Sequence, residues 1–122
     1  MKGLLIIKLL LAGTVLFSAC YYDAEEKLYP ASECVNTNMS YDANIATILQ
    51  ANCYVCHSSS VNSGNVTLDN YNAVKTQANS GKLLGTIKHS SGYIPMPQNA
   101  SMVNSCDVAK IEQWISDGAQ NN

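Results

Sequence analysis

The stretch "NCYVCHSSS", Asn52–Ser60, packs two cysteines and a histidine into five positions of a chain that has five cysteines and two histidines in 122 residues. Cys53 and Cys56 are three apart, so on a helical turn both thiols share a face, and His57 follows at once. Upstream, "SYDANIATILQANCYVCH" carries Ile45, Ile48, Leu49 and Cys53 at helical spacing. Ser40 is placed to cap that helix, and Asp42 lies in its first turn, where the helix dipole favours an acid. The motif therefore stands at a helix end, with no strand pattern before it.

Beyond the motif, "SSSVNSGN" has the composition of a loop. "TLDNYNAVKTQANSG" then offers Leu68, Tyr71, Val74 and Ala78 at three- and four-residue steps and closes on Gly81, which predicts a second helix. "KLLGTIKH" is apolar but too short to assign. "GYIPMPQNASMVN" reads as a loop, because Pro95 and Pro97 forbid helix continuation. In "NSCDVAKIEQWISDGAQNN", Val108, Ile111, Trp114 and Ile115 form one face. Asn104 or Ser105 caps that helix, Asp107 sits in its first turn and Gly118 lies past its end. Nothing in the chain has the period of a sheet, so the fold class is all-α.

Composition limits what such a domain can bury. Hydrophobic residues make up 47% of the chain, but aromatics are only 7%, with one Trp and one Phe. A core of that size is thin for a small domain relying on apolar burial alone. Something other than side chains is expected to fill its middle.

The N-terminus has the layout of an export signal: Lys2 and Lys8, an apolar run from Leu9 to Phe17, then Ser18, Ala19 and Cys20. The uninterrupted apolar run is shorter than the roughly 20 residues of a spanning helix. "FSAC" resembles a bacterial lipobox, with Phe17 a less usual residue at its first position; by that resemblance Cys20 becomes the first mature residue and carries lipid. The chain then divides into a signal peptide (1–19), an acidic tether and loop (20–39) and a domain (40–122). The mature part keeps five lysines against nine acids and has no arginine. This argues against nucleic acid, which needs clustered Lys and Arg, and suggests protein partners with basic patches. The "DAEE" of residues 23–26 resembles surface-export signals of some bacterial lipoproteins, and it also reads as a solvated tether.

C-x-x-C-H is the attachment signal of a c-type haem: two thiols add to the two vinyl groups of one porphyrin edge, and the adjacent imidazole ligates the iron. Other readings of the motif compete with this one. Structural zinc wants four Cys or His ligands, usually as two close pairs, and the chain has no second C-x-x-C and only His89 besides His57. A redox C-x-x-C sits at a helix N-terminus after a strand. A disulfide between residues three apart constrains almost nothing.

With Cys20 assigned to lipid and Cys53 and Cys56 to haem c, Cys34 and Cys106 remain. An exported chain favours their oxidation to a disulfide, which would close a long loop worth about 4 kcal/mol in the chain-entropy model. Two unpaired buried thiols are the other possibility. For the second axial position of the iron, Met96 in "YIPMPQ" stands out, because Pro95 and Pro97 stiffen the backbone on both sides. Met102 and His89 are the alternatives, with Met39 a weaker one. Methionine ligation raises the reduction potential and a histidine in its place lowers it.

Over residues 41–120 the chain resembles a monohaem class I cytochrome c: an N-terminal helix, "CYVCH", a middle helix, a "MP" loop and a last helix ending "WISDGA". The resemblance implies a small fold of three to four helices around one covalently bound haem, with Cys53 and Cys56 as thioethers, His57 and Met96 as axial ligands, and Trp114 packed where the first and last helices cross. It implies an electron carrier, not an enzyme, without a small-molecule substrate, exported to the periplasm or outer membrane and held there through Cys20. Two features depart from the family. Ala46 and Tyr41 stand where many members have a glycine and an aromatic, and no lysine ring is present for partner steering. The alternative in another class is a five-coordinate haem that senses or reduces a small ligand, peroxidase-like, with His89 as its one candidate acid-base group.

Overall fold

The computed structural model describes residues 34–122. The signal segment, Cys20 and the acidic run 23–26 lie outside the described residues. In chain order, a π-helical turn Tyr41–Ile45 leads into α1 (Ala46–Asn52), followed by α2 (Tyr54–His57), a 3-10 turn Ser63–Asn65, α3 (Tyr71–Asn79), α4 (Lys82–Ile87) and α5 (Ser105–Ser116). Among the described residues there is no strand, and the domain is all-α. No helix among them is long and apolar enough to cross a membrane.

Short polar side chains start these helices. Ser40 Oγ accepts from the Ala43 N–H at 3.1 Å, while Asn44 Oδ1 accepts from the Ser40 N–H at 2.9 Å. Asn70 caps α3 through the Ala73 N–H, and Asn104 caps α5 through the Cys106 N–H. Each such cap stabilises its helix by about 1 kcal/mol.

The first helix differs from its sequence pattern at both ends. Its opening turn is wide, with Ile45 N–H reaching Ser40 O at 3.2 Å. That turn is pinned from outside, since the N–H groups of Tyr41 and Asp42 donate to the side-chain and backbone oxygens of Asn122. Its far end breaks at Cys53 (φ −126°, ψ −33°), where Asn52 Nδ2 takes the Ile48 carbonyl at 2.8 Å and competes with the backbone ladder. The break separates α2 from α1 and re-aims the motif.

The core is small. Trp114, Ile45, Leu49, Ile111 and Val74 are its largest fully buried side chains, and the opening turn of the first helix packs on α5 through an aromatic cluster. Tyr41 lies 5.7 Å from Trp114 and 5.1 Å, edge-on, from Tyr71, a spacing at which aromatic pairs add about 1 kcal/mol beyond burial. Two of its polar tips are hydrogen-bonded to backbone: Trp114 Nε1–H donates to Gln120 O and Tyr71 O–H donates to Ala119 O. Burial, then the neighbouring Tyr54, pushes the Tyr41 phenol up to about 12.

Residues 34–39, read as the end of the tether, are tied into this unit. Met39 is buried in the core, and Cys34 is joined to Cys106 in the first turn of α5 by a disulfide with Cα atoms 5.5 Å apart.

The apolar piece "KLLGTI" is a helix. Gly81, at φ +73°, both ends α3 and opens α4, the left-handed position that glycine occupies without penalty. Leu83, Gly85 and Ile87 of α4 are buried. Gly85 is required by space: a Cβ there would stand 2.6 Å from the ring of Tyr93. The loop after α4 therefore lies directly on its backbone.

Candidate functional site

Cys53, Cys56 and His57 occupy one turn. The N–H groups of Cys56 and His57 both return to the Cys53 carbonyl, at 3.1 and 2.9 Å. Both thiols are free, Cys53 half-buried against the core and Cys56 exposed. Burial, and then the adjacent Cys56 thiol, pushes Cys53 up to about 11. The lowered thiol of a disulfide-exchange motif is the opposite case. Among the described residues no three of His, Cys, Asp and Glu gather around a common point.

His57 is gripped by the loop that follows it. Its Nδ1–H donates to the Val66 carbonyl at 3.2 Å, and its own carbonyl accepts from the Leu68 N–H at 2.7 Å. Because a carbonyl only accepts, Nδ1 carries the proton, which leaves Nε2 as the ring nitrogen that could meet a metal. Asp69 secures the same loop by accepting from the Ser59 N–H and, at 2.7 Å, from the Ser59 hydroxyl. These bonds, that from the N–H first, hold the Asp69 carboxyl below the usual carboxylate range.

The sign of the pH effect follows. A lowered folded pKa stabilises the loop above the unfolded value near 4 and loses that contribution as pH falls through the folded value below it. The protection of the Ser59 amide, its exchange relative to the intrinsic rate, is expected to hold from neutral pH down to about 4 and to fall below it. Asp69→Asn is expected to remove that acid-dependent loss of protection.

Met96 lies in the irregular segment between α4 and α5, partly buried. Its N–H donates to Thr86 O at 3.0 Å, and its carbonyl accepts from His89 Nε2 at 3.1 Å. His57 and Met96 are thus held by separate parts of the fold, one by the loop after α2 and the other by the end of α4. Among the alternative ligands, Met102 is half-exposed, Met39 is buried in the core, and His89 has one ring nitrogen engaged with Met96.

The donor set fits a c-type haem on three observations. The two thiols are unpaired on one turn, the histidine has Nδ1 engaged and no hydrogen bond at Nε2, and large apolar side chains near both candidate ligands face outward. Val55, between the two cysteines, is 84% exposed, and Ile94, two residues before Met96, is 65% exposed, apolar surface close in sequence to both candidate ligands. Two surface grooves lie elsewhere: one of about 240 Å³ between the first helix and α5 beside Asp107 and Lys110, the other beside Met39 and Trp114. Neither is lined by Cys53, Cys56, His57 or Met96.

Sequence reasoning missed Val66, Asp69, Gly85 and Tyr93. Val66 acts through its carbonyl, which leaves no mark on residue type. Asp69 at the end of a Ser- and Asn-rich loop, and the glycine inside "KLLGTI", were the visible signals for two of the others.

No family model, curated protein or solved structure compared with the chain matches it. The cytochrome resemblance therefore rests on the motif, the helix order and the geometry above.

Proposed function

We propose that residues 34–122 form a class I c-type cytochrome domain that binds one haem c and passes single electrons between redox proteins. The observation that carries the proposal is His57: within C-x-x-C-H, its Nδ1–H is fixed on the Val66 carbonyl and Nε2 is left as the free donor. Bound haem supplies a one-electron iron couple that no side chain here offers. Cys53 and Cys56 would hold the ring edge as thioethers, and His57 Nε2 and Met96 Sδ would be the axial donors. The described residues carry both candidate ligands on backbone hydrogen bonds, His57 through Leu68 and Met96 through Thr86, an arrangement that limits how far either donor moves on a change of charge.

Export and lipid attachment through Cys20 complete the proposal, placing the domain in the periplasm or at the outer membrane. The described residues carry five acids against four lysines, so most of the excess acid of the mature chain lies in Asp23, Glu25, Glu26 and Glu33. Attraction to basic partners is then assigned chiefly to the tether. The five-coordinate alternative is weaker, because its one acid-base candidate, His89, spends Nε2 on the Met96 carbonyl.

The test is Met96→Ala, made with haem-attachment machinery. The expected protein keeps its covalent haem, loses the weak far-red band of iron-to-methionine ligation completely, falls in reduction potential and binds carbon monoxide rapidly when reduced. An unchanged band and potential would remove Met96 from the axial position.

A further inference from the structure

We infer that His89 is a positioning residue for the Met96 loop, a clamp whose Nε2–H donor on the Met96 carbonyl closes residues 90–95 against the end of α4. The inference rests on the haem reading for its purpose, but its geometry stands on this chain alone.

Both polar groups of the Met96 peptide are taken by one short stretch. Thr86 O accepts the Met96 N–H at 3.0 Å, and His89 Nε2 reaches the Met96 carbonyl at 3.1 Å. The carbonyl can only accept, so Nε2 donates, and it does so in the neutral Nε2–H tautomer and in the imidazolium alike. No change of protonation is invoked.

His89 is itself set for this task by its backbone. It adopts φ +50°, a left-handed conformation uncommon outside glycine, and its N–H returns to Thr86 O at 3.2 Å. Ser90 N–H donates to Gly85 O at 2.9 Å, Tyr93 N–H to Ser90 O at 3.1 Å, and the Tyr93 ring lies on Gly85. The base of the loop is thus built from the last turn of α4, and His89 is the one side chain that bridges it by hydrogen bond to Met96.

This role competes with that of axial ligand. With Nε2 on Met96, the His89 ring braces the residue that would otherwise be its rival for the iron. A brace restricts the excursions of Met96 without touching the iron.

The test compares the full chain with His89→Ala and His89→Gln, the second keeping an N–H donor. A solvent-exposed hydrogen bond sets the scale at about two- to tenfold in the open population of the loop. In the ferric haem-loaded protein, His89→Ala is expected to weaken the far-red band, and in the reduced protein to speed carbon monoxide binding by about two- to tenfold. His89→Gln is expected to restore most of both. In the full chain made without haem, the Met96 amide is expected to exchange about two- to tenfold faster in His89→Ala than in the parent.

A purely structural histidine would lower the unfolding temperature and leave the band, the ligand rate and the Met96 exchange ratio alone, and that result overturns the inference. So does a low-spin spectrum that His89→Ala abolishes and Met96→Ala spares, which would make His89 the ligand. If the parent takes up no haem, the haem reading fails, and the amide exchange still decides the clamp: an unchanged rate in His89→Ala overturns it.

Discussion

Replacing Cys53 and Cys56 together with alanine is expected to yield a chain with no covalently held haem, whereas the parent gains the mass of one haem in full. Each thioether forms by addition of one thiol to one vinyl group, and the described residues contain two free thiols, both in this turn. Their protonated form is secured in Cys53, which burial pushes up to about 11. Either single variant keeps one possible thioether and is expected to retain haem at reduced yield. The double variant keeps only His57 and Met96, whose bonds to iron are reversible, so acid and organic solvent should extract all of its haem. Mass spectrometry before and after extraction checks this. Intact haem attachment in the double variant would rule out the thioether assignment.

Cys106→Ser is expected to lower stability by about 4 kcal/mol, the entropy of opening a loop whose ends are 72 positions apart. That is a large share of the roughly 5–15 kcal/mol available to a small domain. The position sharpens the effect. Cys106 lies in the first turn of α5, the helix that brings Trp114 against Tyr41, while Cys34 precedes the opening turn that carries Tyr41. Opening the bridge therefore loosens both sides of the aromatic cluster. At roughly 4–8 °C per kcal/mol for a domain of this size, the midpoint of thermal unfolding should fall by about 15–30 °C. A reductant added to the parent should reproduce much of that fall. Coincident melting curves would show that the bridge contributes nothing.

Much of the fold was legible because its signals are local. Ser40 and Asn104 cap the helices they were expected to cap, Gly118 lies past the end of α5 at φ +95°, and the apolar face of Val108, Ile111 and Trp114 is the buried one. These are periodicity and capping effects, written within a few residues of where they act. The pairing of Cys34 with Cys106 followed from assigning the other cysteines first.

What the sequence hid depends on tertiary contact or on backbone atoms. α4 is six residues long with a glycine inside it, poor helix chemistry in isolation; packing of Leu83 and Ile87 and the cover of Tyr93 over Gly85 hold it. The apolar pattern ends on Cys53 but does not show the backbone break there, which turns α2 away from α1. The partner of His57 is the carbonyl of Val66, and any residue there presents the same atom. Met39, weighed as a ligand, is drawn into the core by burial. His89, weighed as another, is turned onto Met96 by a left-handed backbone that residue spacing does not reveal.

The absorption spectrum of the full chain, produced in an oxidising compartment with cytochrome c maturation factors and recorded in ferric and reduced forms, tests the central claim most directly. The account predicts a covalent haem spectrum with the weak far-red band of iron-to-methionine ligation in the ferric state. A colourless protein, under conditions in which a known c-type cytochrome matures in the same cells, would contradict it.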